Sequence, residues 1–294
     1  MRLGLFVTAT TLLGLSVTGC GGSAADNGPK DVGTPPGLSV SVLQYRSDYT
    51  IRRMQIKVTN ASSAPVTVTA ARLSSTAFSG GAAWLSRNQA DETTIRPGTS
   101  TDLPAALPPS ACATSPSGFR SAVRLDLRSA DGSSARTAGL PVGDPYKSIT
   151  RVHTEDCRRE AALKIADLEL VDPLRTTTRG GRLIGLLDLR LTPSGKPGTL
   201  TVESISSTTL LGPPTGAAWQ IDRTVSAASG PQTVTLELRA ARCDPHAIAE
   251  DKLGTVLPVT LHVDDGESGV VTVPADPDLR KQIQDFVHAV CADG

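Results

Sequence analysis

The amino-acid sequence predicts an all-β protein built as two tandem antiparallel β-sandwiches, each closed by a short helix that a disulfide ties down. Three observations predict it. Apolar and polar residues alternate in many short segments, as strands do when one face lies on a core and the other in water. Landmarks in the first half recur in the second at a nearly constant offset, which marks an internal duplication. Four cysteines fall at matched places in the two halves.

The N-terminus stands apart from this pattern. Arg2 precedes an apolar run from Gly4 to Val17, too short to span a bilayer and suited to a signal segment. The run ends in Val17-Thr18-Gly19-Cys20. That tetrapeptide resembles the lipobox of bacterial lipoproteins. The resemblance implies cleavage before Cys20, with residues 1–19 as signal peptide, and a diacylglyceryl group on the Cys20 thiol. It places the chain on the extracytoplasmic face of the cell membrane. Residues 20–37 follow, rich in Gly, Pro, Ser and Asp and without apolar period, the composition of a flexible tether.

The duplication is read from rare residues. The chain has two tryptophans, and both close a Gly-Ala-Ala-Trp tetrapeptide, at Trp84 and Trp219. Cys112 matches Cys243, Cys157 matches Cys291, and Asp131-Gly132 matches Asp265-Gly266. The expected units are residues 38–158 and 160–294. Two copies are too few for a solenoid.

Within each unit the strand segments follow in order. Arg53–Val58 and Val123–Arg128 alternate in the first; Leu187–Leu191, Val234–Arg239 and Leu257–Val263 alternate in the second. Turn-rich stretches separate them, and the two Asp-Gly dipeptides suit hairpin turns, where Gly accepts positive φ. Many short strands with one wet face argue for antiparallel sandwiches, immunoglobulin-like by analogy of layout.

Each unit closes alike. Asp144-Pro145 and Asp276-Pro277 are helix-start signals. Leu279, Ile283, Phe286, Val287 and Val290 hold helical spacing, as Tyr146, Ile149 and Val152 do more weakly. Each helix runs into the second cysteine of its unit. An exported chain meets oxidising conditions, so Cys112, Cys157, Cys243 and Cys291 are expected as two disulfides. Equivalence of the units favours Cys112–Cys157 and Cys243–Cys291. Pairing Cys112 with Cys243 and Cys157 with Cys291 also respects the symmetry, but would tie together units that read as self-contained.

Chemistry is sparse. No nucleophile elbow, phosphate loop, zinc-protease helix or kinase set is present. Cys243-Asp244-Pro245-His246 followed by Glu250-Asp251 offers His246, Glu250 and Asp251 as weak metal candidates, against a plain reading as a loop after a structural cysteine. The same stretch resembles a segment of uncharacterised exported lipoproteins of high-GC Gram-positive bacteria, a resemblance that implies no activity. His262 is expected on the wet face of its strand, and His153 and His288 near helix C-termini, where the dipole favours them. Asp264–Glu267 lacks the oxygen spacing of a calcium loop and reads as a charged hairpin. Trp84 and Trp219 read as core anchors.

Lys+Arg and Asp+Glu are equal at 29 each, so no charge bias points to nucleic acid. The expected function is a lipid-anchored extracytoplasmic binding or structural module. It would contact a protein or a cell-wall polymer, carry no cofactor and perform no catalysis. A small-ligand or metal receptor is the alternative, and an enzyme of unrecognised type the third.

Overall fold

The computed structural model describes residues 30–33, 35–85, 92–114, 118–128 and 132–292. The signal segment, Cys20 and residues 21–29 and 34 of the expected tether lie outside them, while Lys30–Val32, expected within the flexible tether, form a strand. The chain is mostly β, with two disulfides and two hydrophobic clusters.

The elements around the first cluster are β1 (Lys30–Val32), β2 (Leu38–Leu43), the one-turn helix α1 (Arg46–Tyr49), β3 (Arg53–Asn60), β4 (Val66–Ser75), β5 (Ala82–Ala83), β6 (Thr93–Ile95), β7 (Thr99–Ala106), β8 (Ser121–Arg128), β9 (Ser134–Thr137) and β10 (Leu140–Gly143). Strands β2, β3 and β7 form one antiparallel layer. Strands β4 and β8 centre the other. Alternation does its expected work: Met54, Ile56 and Val58 of β3 and Val123 and Leu125 of β8 are fully buried between the layers. Removing such side chains from water stabilises by about 1.5–3 kcal/mol each.

Two pairings depart from an all-antiparallel sandwich. β10 runs antiparallel to β8 and then parallel to β2, so it joins both layers into one continuous sheet. β1 also pairs with β9 in parallel. Four residues, Leu-Pro-Val-Gly, suffice for β10 to change partners, because Pro141 offers no backbone N–H to either ladder.

An 18-residue helix, α2 (Ser148–Ile165), follows. It is longer than the short helix expected from the sequence and runs eight residues past Cys157. It crosses residue 159 without a break and passes directly into β11 (Ala166–Arg179). Its first half gives Ile149 and Val152 to the first cluster, and its end gives Ala162 and Ile165 to the second. It starts three residues later than Asp144-Pro145 suggested, with Lys147 at the N-cap, and the Asp144 carboxylate reaches its first turn by accepting from the N–H groups of Ser148 (2.7 Å) and Ile149 (2.9 Å). Tyr146 lies outside the helix and is 73% exposed, so it is not part of the apolar face.

The second cluster lies between two four-stranded sheets in a sandwich-like arrangement. One sheet has the order β11, β12 (Arg182–Pro193), β16 (Gln232–Ala240), β14 (Leu211–Gly212). The other has the order β15 (Ala218–Ser226), β13 (Thr199–Ser206), β17 (Val256–Val263), β18 (Gly269–Pro274). Leu187, Leu189 and Leu191 of β12 face Leu200 and Val202 of β13 and Val259 and Leu261 of β17, all fully buried.

The helix α3 (Pro245–Ala249) is one short turn, and α4 (Pro277–Ala292) closes the cluster. Asp276 caps α4 by accepting from Leu279 N–H at 2.8 Å. Leu279, Ile283, Phe286 and Val287 form the buried face the spacing predicted. Phe286 lies over Gly185, where a Cβ would come within 3.2 Å of its ring.

The disulfides are Cys112–Cys157 and Cys243–Cys291, the local pairing. In the hairpin between β17 and β18 the positive φ falls on Asp264 (50°), not on Gly266 as the dipeptide suggested. Asp264 tolerates it because its carboxylate accepts from the Thr199 N–H at 2.8 Å and from the Thr199 hydroxyl. Trp219 is a core anchor, 8% exposed, with its indole N–H donating to the Glu237 carbonyl. Trp84 differs: it is half-buried at the edge of its cluster, bridged to Ala105.

Candidate functional site

A cleft of about 1200 Å³ runs along the exposed side of α2. On one side stand α1 and the residues after it. On the other stand β17, β18 and the segments that follow β16 and α3. The cleft exists because α2 is held from both sides. Arg52 pairs with Asp156 and donates to the Pro108 carbonyl, and the Ser110 hydroxyl donates to the same carboxylate. Toward the second cluster, Thr272 donates to Glu155 at 3.0 Å, while Arg159 donates to the Thr272 carbonyl. Arg151 donates to Gln44 and lies 4.3 Å from the centre of the Tyr49 ring, a cation–π contact.

These contacts consume the carboxylates Glu155 and Asp156 and leave cations over. Seven Lys and Arg side chains and four carboxylates line the cleft, a local excess of three positive charges in a chain whose formal net charge is zero. Arg46, Arg158, Arg242 and Lys252 make no ion pair and no side-chain hydrogen bond among the described residues. Arg158 lies flat against Gly269, where a Cβ would fall 2.0 Å from its Cζ, so a glycine there makes room for it. Sequence reading missed this group because its members lie as far apart as residues 46 and 252. A signal existed: Arg158 directly follows one half-cystine and Arg242 directly precedes another. The disulfide frame therefore carries both to the cleft.

The metal candidates do not converge. His246 has a side chain 93% exposed and lies 3.7 Å from Asp244. Asp251 accepts from the Gly254 N–H, closing a turn, and Glu250 and Asp251 line the cleft while His246 does not. Among the described residues no three His, Cys, Asp or Glu side chains gather as metal ligands.

His262 sits on its strand's outer face as expected, but it is paired: Nδ1 lies 2.7 Å from Glu203, which also accepts from the Ser268 hydroxyl. The carboxylate is in the middle of the three. Ser268 is bonded to Glu203 and not to the imidazole, so the group lacks the nucleophile–base bond of a hydrolase. The two donors, the Ser268 hydroxyl first, hold the Glu203 carboxyl below its ordinary range.

His153 corrects an expectation. It lies early in α2 rather than in a last turn and is 2% exposed. Its ring packs on Phe119 at 4.6 Å, Nε2 meets the Ala111 carbonyl at 3.2 Å, and Nδ1 has no partner. The helix continues past it, so the dipole argument does not apply. His288 is exposed on α4 near its end.

No family model and no curated protein matches the chain. Among solved structures, red sea bream transglutaminase is similar at 14% identity over 83% of this chain, with a TM-score of 0.23. The chain spans about a third (32%) of that protein's length. The calcium-binding domain CBD12 of CALX1.1 is similar at 9% identity, covering 81% of this chain and 87% of that one, TM-score 0.20. The secreted serine protease VesC from Vibrio cholerae is similar at 13% identity, covering 84% and 50%, TM-score 0.17. At these scores the likenesses carry no argument about fold or activity.

Proposed function

We propose that the chain is a lipid-anchored, extracytoplasmic binding module. In this reading two tandem immunoglobulin-like sandwiches are held to the cell membrane by a lipid on Cys20. One observation carries it. A lipobox-like tetrapeptide ends in the one cysteine left over once the other four have paired in two disulfides. Such bridges belong to oxidising compartments.

Duplication is supported by matching strand orders. The layer β2-β3-β7 and the layer β11-β12-β16 have the same pairing, and β4–β8 corresponds to β13–β17. Each series then ends in a helix holding the second half-cystine. Binding rather than catalysis is supported by an open, cation-rich cleft and by a Ser–Glu–His group whose order is wrong for nucleophilic attack. Among the described residues no helix is long and apolar enough to cross a membrane, so the reading rests attachment on the lipid.

The test is fractionation of cells carrying the wild type or Cys20→Ala, with mass spectrometry of the mature N-terminus. The wild type is expected in the membrane fraction with a diacylglyceryl adduct on Cys20. The variant is expected unprocessed or released. A variant that stays membrane-bound at mature size overturns the reading.

A further inference from the structure

We propose that the cleft along α2 binds a linear phosphodiester polymer of sugars or polyols. This rests on the binding-module reading and names its ligand class.

Four cations in the cleft are unspent, and they come from four places in the chain: Arg46 on α1, Arg158 on α2, Arg242 after β16 and Lys252 after α3. Cations spread around a rim match charges repeated along a ligand, whereas one small anion would need them focused on a point. Three of the four are arginine, whose planar fork suits phosphate oxygens. The Arg52–Asp156 ion pair and the Thr272–Glu155 hydrogen bond fix the walls, so the free cations are presented by an ordered frame. The volume, about 1200 Å³, exceeds the roughly 300–1,000 Å³ of ordinary small-molecule pockets and suits a segment of chain.

Tyr49 and Val270 line the cleft at 42% and 43% exposure. They supply apolar contact for the carbon faces of a sugar or polyol.

Two rival polyanions fit less well. Single-stranded nucleic acid relies on successive bases stacking on aromatic platforms. Among the described residues Tyr49 is the single aromatic one lining the cleft, and one side of its ring already carries Arg151. A bilayer surface is flat, while these cations line a concavity walled by α1 on one side and β17–β18 on the other.

The experiment uses the full chain and poly(glycerol phosphate) as probe, with binding read by calorimetry at several salt concentrations. Single-stranded oligonucleotide and phosphatidylglycerol vesicles are run alongside. The cleft variant is Arg46→Glu, Arg242→Glu, Lys252→Glu, three exposed side chains without side-chain partners among the described residues. The control is Arg120→Glu, Arg124→Glu, Lys196→Glu, equally exposed and outside the cleft, with the same change in net charge. The wild type is expected to bind the polymer and to weaken as salt rises. The cleft variant is expected to lose about tenfold or more, and the control less than about threefold. Should either variant fold poorly, the Gln versions repeat the comparison.

Equal losses in the two variants would show a net-charge effect and overturn the proposal. So would absent binding, or tighter binding of oligonucleotide or vesicles than of polymer. None of these outcomes changes the fractionation of Cys20→Ala, so failure of the ligand class is distinguishable from failure of the anchor.

Discussion

Glu203 illustrates what single residues decide in this chain. Two donors, Ser268 and His262, share its carboxylate, and together they favour the charged form. Its carboxyl in the folded protein therefore titrates below that of the unfolded chain. The stability this contributes is present above the ordinary glutamate pKa and is lost as pH falls through the lowered, folded value. An NMR titration should show the Glu203 carboxyl moving up toward the ordinary range in Ser268→Ala, because the serine hydroxyl is the larger cause. No movement would assign the shift to His262. A second residue is sensitive through its backbone. Gly198 has φ of 122°, and a Cβ there would lie 2.4 Å from the Ile165 Cδ1. Gly198→Ala should destabilise by about 1–3 kcal/mol in urea unfolding, and an unchanged midpoint would refute this.

At the scale of elements, α2 is the feature that pattern reading under-described. Its apolar period fades at Arg158-Arg159-Glu160, so nothing local announces another turn and a half of helix. What extends it is tertiary: Ile149 and Val152 sit in one cluster and Ala162 and Ile165 in the other. Ala161→Pro would remove an interior hydrogen bond and clash with the preceding turn, costing about 3 kcal/mol or more. In calorimetry we expect one cooperative transition to divide into two; a single lowered transition would mean that the coupling runs elsewhere. The strands were more legible. Arg53–Val58 and Leu187–Leu191 alternate strictly, and each lies at the middle of a layer. β10 was not legible, since four residues containing a proline carry no period. The cleft was less legible still, because its cations are distant in sequence and are defined by having no partner.

For the whole molecule, the disulfides set how much of the fold survives stress. The two bridges close loops at separations of 45 and 48 residues, and each should contribute on the order of 2–4 kcal/mol by restricting the unfolded chain. Cys112→Ser with Cys157→Ser should lower the urea midpoint accordingly, and likewise Cys243→Ser with Cys291→Ser. A loss confined to one pair would show that the other cluster holds without its bridge.

The same two bridges have a mechanical consequence. Suppose the chain is stretched between its two ends. Tension reaching Cys112 crosses the covalent bond to Cys157 and skips everything between, including β8, β9, β10 and the start of α2. It then follows the end of α2 and the strands to Cys243, and crosses to Cys291. The segments between the half-cystines stay slack while the rest of the chain is taut. Within α2 the boundary between slack and taut falls at Cys157, one residue before Arg158, so most of the cleft floor hangs on the unstretched side.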